Sequence, residues 1–268
     1  MNDTATDKLS RRYRVVGMNI QGTPPMSARR VAHDLQTAVD HGAHVILAQE
    51  MRWAWYFRQA GRILRRRRAR TSPRWGHSPS IPIAVANPVR AAQAVFWRAD
   101  LLGRKRTCRR RLHGLLRGIS NPRQLRGVLL QDREHPKDRR MRFWVGTTHF
   151  VPGGDRRGDD PRRRRALDHD LDRFDRWLGK MLASGHPAVV ELDANIARRS
   201  AAWARLEQIV RKHDGRFVGA LGVEYSTVFP GSNGVTLDVV QVGQIPARRL
   251  ETDHEARVVD IRLRKKSR

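Results

Sequence analysis

Disulfide bonds and multi-thiolate zinc or iron–sulfur centres need more thiols than this chain carries. Cys108 is the only cysteine in 268 residues, so an internal disulfide and any such centre are excluded, and a reducing compartment suits the protein. Long apolar runs are missing as well. No uninterrupted hydrophobic stretch approaches the ~18 residues of a membrane-spanning helix, and the opening MNDTATDKLS has no apolar core of a secretory signal. A soluble, cytoplasmic protein with no membrane partner is expected. Acidic residues are few, 26 against 54 basic ones, which leaves a formal net charge of +28. Lysine is rarer still: seven stand against 47 arginines. The sequence contains no internal repeat and no low-complexity linker, so one domain is expected over 12–263, between a flexible tail at 1–11 and a basic tail at 264–268.

What is present points to a polyanion. Arginine donates paired hydrogen bonds to phosphate, and each phosphate neutralised on duplex DNA releases counterions, giving a salt slope of roughly −0.9 per contact. Nucleic acid, DNA or RNA, is the expected partner of a monomer, with Arg104, Arg109, Arg110, Arg126, Arg156 and Arg157 as candidate contacts. The Arg-rich stretches 104–111, 153–165 and 262–268 read as two loops and a tail. With 39% hydrophobic residues the chain has enough apolar mass for a real core.

Apolar runs predict strands at 13–20, 44–48, 81–86, 92–97, 128–130, 142–148, 188–192, 227–229, 237–242 and 258–263. Helical spacing runs through Val31, Leu35 and Ala38, with Ser27 as N-cap and Gly42 as the stop. A long helix starts from Asp160 and Pro161 and carries Leu167, Leu171, Phe174, Leu178 and Leu182. A shorter one spans about 200–213. Strand, helix and strand within the first fifty residues place Asn19 and Glu50 close together on one covered sheet.

Polar residues recur where apolar runs end: Asn19, Glu50, His149, Asp193 with Asn195, Asp238, and Asp253 with His254. Strands deliver such residues to a common sheet edge, where acids, amides and imidazoles can hold a divalent cation beside a phosphate. In VVELDAN an acid and an amide two residues apart share one face if the chain stays extended. TDHEA sets a hard oxygen ligand next to a titratable ring. The stretch WAWYF at 53–57 fits core packing better than base stacking. Asp168, Asp172 and Asp175 form an acidic helical stripe that Arg165 and Arg176 can pair.

The ordered series GMN, LAQE, TTHF, LDAN, TLDVV and TDHEA resembles the motifs of the endonuclease/exonuclease/phosphatase superfamily over about residues 13–263. The resemblance implies an α/β fold, a four-layer α/β/β/α sandwich of two mixed β-sheets flanked by helices. It also implies a phosphoesterase dependent on Mg²⁺ or Mn²⁺. By the same resemblance Glu50 is the main metal ligand, with Asn19 and Asp253 beside it. Asp193 and Asn195 orient water and contact phosphate, His149 contacts a phosphoryl oxygen, and His254 is the general base, held by Asp238. Leu192 departs from the pattern, since the superfamily has glycine there, and puts a bulky side chain next to the site. No acid that orients His149 is identifiable between Arg52 and Arg98. The expected activity is hydrolysis of nucleic-acid phosphodiesters, DNA before RNA. The alternatives are a phosphomonoesterase on a small or lipid phosphate and a catalytically degenerate nucleic-acid binder.

Overall fold

The computed structural model describes residues 11–20, 28–52, 74–79, 91–112, 124–154, 160–252 and 254–265. Its strands are β1 (Arg12–Asn19), β2 (Val45–Arg52), β3 (Trp75–Pro79), β4 (Ala91–Arg98), β5 (Leu102–Arg111), β6 (Gln124–Asp132), β7 (Arg142–His149), β8 (Ala188–Asp193), β9 (Arg216–Leu221), β10 (Glu224–Phe229), β11 (Val235–Ile245) and β12 (Ala256–Lys265). Its helices are α1 (Ala28–Asp40), α2 (Pro161–Leu182) and α3 (Ala201–Lys212). Two six-stranded sheets form, ordered β11-β12-β1-β2-β4-β3 and β5-β6-β7-β8-β10-β9. Each is mixed: β1 and β2 run parallel in the first, β7 and β8 in the second.

Period-two alternation decides what each strand gives to which layer. From β1, Val16 and Met18 face outward and pack with Val31, Leu35 and Ala38 of α1. Val15, Val45, Leu47 and Val95 face inward and meet Val128, Leu130, Phe143, Val145, Val189 and Val228 of the other sheet. The outer face of the second sheet is covered by α2 and α3 through Leu167, Leu171, Phe174, Trp177, Leu206 and Val210. The result is the four-layer sandwich. Helix ends follow the sequence: Asp160 accepts from the Arg162 N–H at 2.8 Å with Pro161 behind it, and Ser200 caps α3 through the Trp203 N–H. Gly42, at φ +78°, takes the left-handed turn that stops α1.

Several readings are corrected. Residues 104–111 are not a loop but most of β5, an edge strand paired only with β6. One margin of β5 faces solvent, so Arg and Lys are tolerated where an interior strand would need apolar residues. Strand β3 carried no apolar run to announce it, β9 was missed although Phe217, Val218, Ala220 and Leu221 form one, and 81–86 lies outside the described residues. Arg262, Arg264 and Lys265 belong to β12 rather than to a tail. The acidic stripe pairs across helices, not along its own: Asp168 and Asp172 meet Arg205, and Asp175 meets Lys212 and His213.

At one end of the sandwich the inter-sheet core changes from apolar to polar. In register across the second sheet stand Arg126, Thr147, Glu191 and Ser226, and across the first Gly17 pairs with Arg257. Glu191 fills the space over Gly17, where a Cβ would lie 2.5 Å from its Oε2. Gly17→Ala should therefore destabilise the protein by about 1–3 kcal/mol, because neither Glu191 nor the strand has room to move. Denaturant unfolding of that variant at neutral pH checks this, and an unchanged midpoint would refute it.

Candidate active site

Both parallel strand pairs end at this polar rim. β1 ends on Asn19 and β7 and β8 end on His149 and Asp193, which are register partners. β10 starts with Glu224 opposite Asp193, and β12 starts just after His254. Residues from both ends of the sequence thus meet at one place.

Asn19 Nδ2 donates to Asp193 Oδ2 at 2.7 Å and joins the two sheets. His149 sits between acids, its Nδ1 3.3 Å from Glu50 Oε1 and its Nε2 3.3 Å from Asp193 Oδ2. One ligand atom from each of Glu50, His149 and Asp193 lies within 4.8 Å of the others. His149 and Asp193 are buried and Glu50 is half-buried. Among the described residues, the acids beside His149 are Glu50 and Asp193.

A β-bulge aims Glu50. Gln49 faces inward and donates from Nε2 to Thr147 Oγ1 at 3.0 Å, so an uninterrupted strand would send Glu50 toward α1. Instead the β2–β4 register shifts between Ala48 and Met51, and Glu50 takes φ +54°. A left-handed non-glycine residue costs about 1–2 kcal/mol, and such strain gathers where a side chain must be held in an unusual direction. Asn195 is a second case, at φ +50°. Its Nδ2 donates to the Phe150 carbonyl at 3.1 Å, tying the segments that follow β7 and β8. Leu192 points away from Asp193 into the core beneath the helices, so it does not narrow the cleft.

His254 does not meet Asp238. Antiparallel pairing of β11 with β12 sets Asp238 opposite Arg262 and Ile245 opposite Ala256, which separates Asp238 from the His254 end by six residues of strand, about 20 Å. Asp238 pairs with Arg264 at 2.6 Å instead. The partner of His254 is Glu224, whose Oε1 lies 2.9 Å from Nδ1. Thr252 seats this segment by donating from Oγ1 to the Asn19 carbonyl at 3.1 Å and accepting from the His254 N–H.

Glu224 belongs to a buried ionic group. Arg257 donates from Nη1 to Glu224 and from Nε to Glu191 Oε2 at 2.8 Å, and Ser226 Oγ adds a 2.9 Å bond to the same oxygen. Burial pushes Glu224 upward, but His254 and Arg257 outweigh it and hold the carboxyl below its ordinary range. Burial raises Glu191, with Arg257 and Ser226 acting against it. For Arg257 burial acts downward, and the two carboxylates more than reverse it. Sequence reasoning missed Glu191, Glu224 and Arg257. The available signal was an acid inside the apolar run VVELD, two residues before Asp193 and hence on the same face.

Of the other candidates, Arg104 and Arg109 are exposed on β5, Arg110 is half-buried there and Arg126 is buried on β6. Asp253, Arg156, Arg157 and the stretch 53–57 lie outside the described residues.

The fold is that of the endonuclease/exonuclease/phosphatase proteins. Among solved structures it is similar to the human Nocturnin catalytic domain, at 14% identity and TM-score 0.68, covering 94% of each chain. An endonuclease/exonuclease/phosphatase from Bacteroides vulgatus gives 14% identity and TM-score 0.67, covering 94% of this chain and 98% of that one. ANGEL2, a 2′,3′-cyclic phosphatase, gives 11% identity and TM-score 0.66, covering 94% and 95%. No protein-family model and no curated protein matches the chain.

Proposed function

We propose that this protein is a divalent-metal-dependent phosphoesterase that hydrolyses phosphodiesters of nucleic acid, DNA before RNA. The observation carrying this reading is the meeting of Asn19, Glu50, His149 and Asp193 at one rim across two sheets. Two carboxylates and a carboxamide within reach of one another match the oxygen ligands of Mg²⁺ or Mn²⁺. Glu50 and Asp193 would hold the cation with Asn19 beside them, and Asp253, the further ligand expected from the sequence, lies outside the described residues. When bound, such a cation neutralises non-bridging phosphate oxygens.

The chain's own residues carry the remaining steps. Glu224 engages His254 Nδ1, so Nε2 is the nitrogen that takes a proton from the attacking water, a role worth ~10²–10⁴-fold in such reactions. The water oxygen bonds to phosphorus as the bond to the leaving oxygen breaks. Asn195 contacts the phosphate, and His149, whose two ring nitrogens face Glu50 and Asp193, positions those carboxylates rather than donating to a phosphoryl oxygen as the sequence led one to expect.

Charge favours nucleic acid over a small anion: +28 far exceeds what one small phosphate requires, and a zebrafish TDP2 structure of this fold is complexed with single-strand DNA product. The breadth of the fold, which includes a Bacteroides mannosyl-6-phosphatase, supports a phosphomonoesterase as the second reading. A monomer is proposed, and no described helix is long and apolar enough to cross a membrane.

Purified protein incubated with plasmid, linear duplex, abasic duplex and RNA should cleave at least one of them with Mg²⁺ or Mn²⁺ and none with EDTA. Inorganic phosphate released from small phosphoesters, with every polymer intact, would select the second reading. Cleavage that survives chelation would remove the metal mechanism.

A further inference from the structure

One strand away from His149, a positive charge is buried without a negative one. Arg126 is 6% exposed. Its Nη2 donates to the Ser78 hydroxyl, its Nε has no hydrogen-bond partner, and among the described residues no carboxylate pairs with it. Arg257, at 1% exposure, is also buried and shows what this fold does with a structural arginine: it places two carboxylates against it. Around Arg126 it places more cations. Arg109 is its register partner on β5, and Arg104 lies further along the same strand. Burial first, then the like charges of Arg109 and Arg104, lower the Arg126 pKa to about 10. Leaving a buried guanidinium uncompensated is expensive, and the chain does so between the edge strands of the two sheets, β3, which supplies Ser78, and β5, which supplies Arg109.

Resting on the phosphoesterase reading, we infer that Arg126, Arg109 and the Ser78 hydroxyl form a second anion subsite, which takes a phosphate group of the substrate other than the one hydrolysed. Arg126 is in register with Thr147, two residues before His149. Strand spacing and rise then put the Arg126 and His149 Cα atoms about 8 Å apart, comparable with the separation of neighbouring phosphates along a strand. A guanidinium offers a phosphate two parallel donors, and a hydroxyl offers a third. The shared ligand chemistry is a phosphate monoanion or dianion. It can belong to the adjacent nucleotide of a polymer or be the second phosphate of a small bisphosphate.

Inorganic phosphate titrated calorimetrically into the full chain, in EDTA and about 0.3 M NaCl to screen exposed arginines, tests the subsite without any catalysis. One phosphate should bind per wild-type chain, and Arg126→Gln should weaken it at least about tenfold, the range seen for loss of a charge-assisted pair. Arg109→Gln, an exposed change that leaves the core untouched, should weaken it severalfold and serves if Arg126→Gln does not fold. No stoichiometric binding by wild type, or equal binding by the folded variants, overturns the proposal. Kinetics then separate the sources. A KM increase for an oligonucleotide alone assigns the subsite to a neighbouring nucleotide, and one for a nucleoside 3′,5′-bisphosphate alone to a small substrate. An equal loss on bis(p-nitrophenyl) phosphate, which has a single phosphate, overturns it. Arg126-dependent phosphate binding by a wild-type chain that hydrolyses nothing would instead sink the phosphoesterase reading and leave the subsite standing.

Discussion

Glu50→Gln should lower metal-dependent cleavage by on the order of 10³-fold or more while the fold survives. The change keeps shape and removes one of the two carboxylates next to His149. Under the proposed reading a cation at Glu50 and Asp193 would lose one of those two carboxylates, and Mg²⁺ is demanding about oxygen donors. The backbone supplies a control. Because residue 50 sits at φ +54°, Glu50→Gly removes strain as well as the ligand, and it should be more stable than Glu50→Ala by about 1 kcal/mol. Cleavage assays with and without metal, together with melting curves of the three variants, check both halves. Activity within tenfold of wild type in Glu50→Gln would remove Glu50 from the mechanism.

Arg257→Met should be the most destabilising of these changes. Removing the cation leaves Glu191 and Glu224 buried against each other, and breaking a buried pair this way costs about 3–5 kcal/mol, on the order of 10 °C in Tm for a chain of this size. The pH dependence has a definite sign. In wild type the folded Glu224 pKa is depressed, so its contribution is present above the ordinary carboxylate range and is lost as pH falls through that range. In the variant both carboxyls titrate above their unfolded values, and their ionisation penalty disappears on acidification. The deficit of Arg257→Met should thus be largest near pH 7 and shrink toward pH 4. Urea unfolding at pH 7, 5 and 4 measures it; a deficit under about 1 kcal/mol at pH 7, or one that grows with acid, contradicts the scheme. Adding Glu191→Gln and Glu224→Gln should restore stability but not activity, since His254 would lose the carboxylate at its Nδ1.

How much of this was legible depended on where each strand lies. β1, β2, β7 and β8 are interior, so each contains an apolar run, and a polar residue near the end of each stands out. That contrast exposed Asn19, Glu50, His149 and Asp193 without any three-dimensional information. β5 reads LGRKRTCRRR, as an edge strand can, and a strand half of whose residues are arginine has no hydrophobic period to detect. The partner of His254 was illegible for a different reason. Asp238 and Glu224 are both acids in strand-like runs, and only the antiparallel register of β11 on β12 shows that the first is carried to the far end. Arg126 looked like a surface contact because nothing in LRG marks which face of β6 it occupies.

The arginine-lined margin of β5 has a consequence for how molecules of this protein tolerate crowding. An edge strand offers unpaired amides to any passing strand, and the cationic side chains of β5 would repel another copy of this chain. Repulsion of that kind is switched off by whatever neutralises it, whether concentrated salt or a bound polyelectrolyte. The protein should remain dispersed in dilute buffer and stick to itself once its cationic border is titrated by sub-stoichiometric nucleic acid.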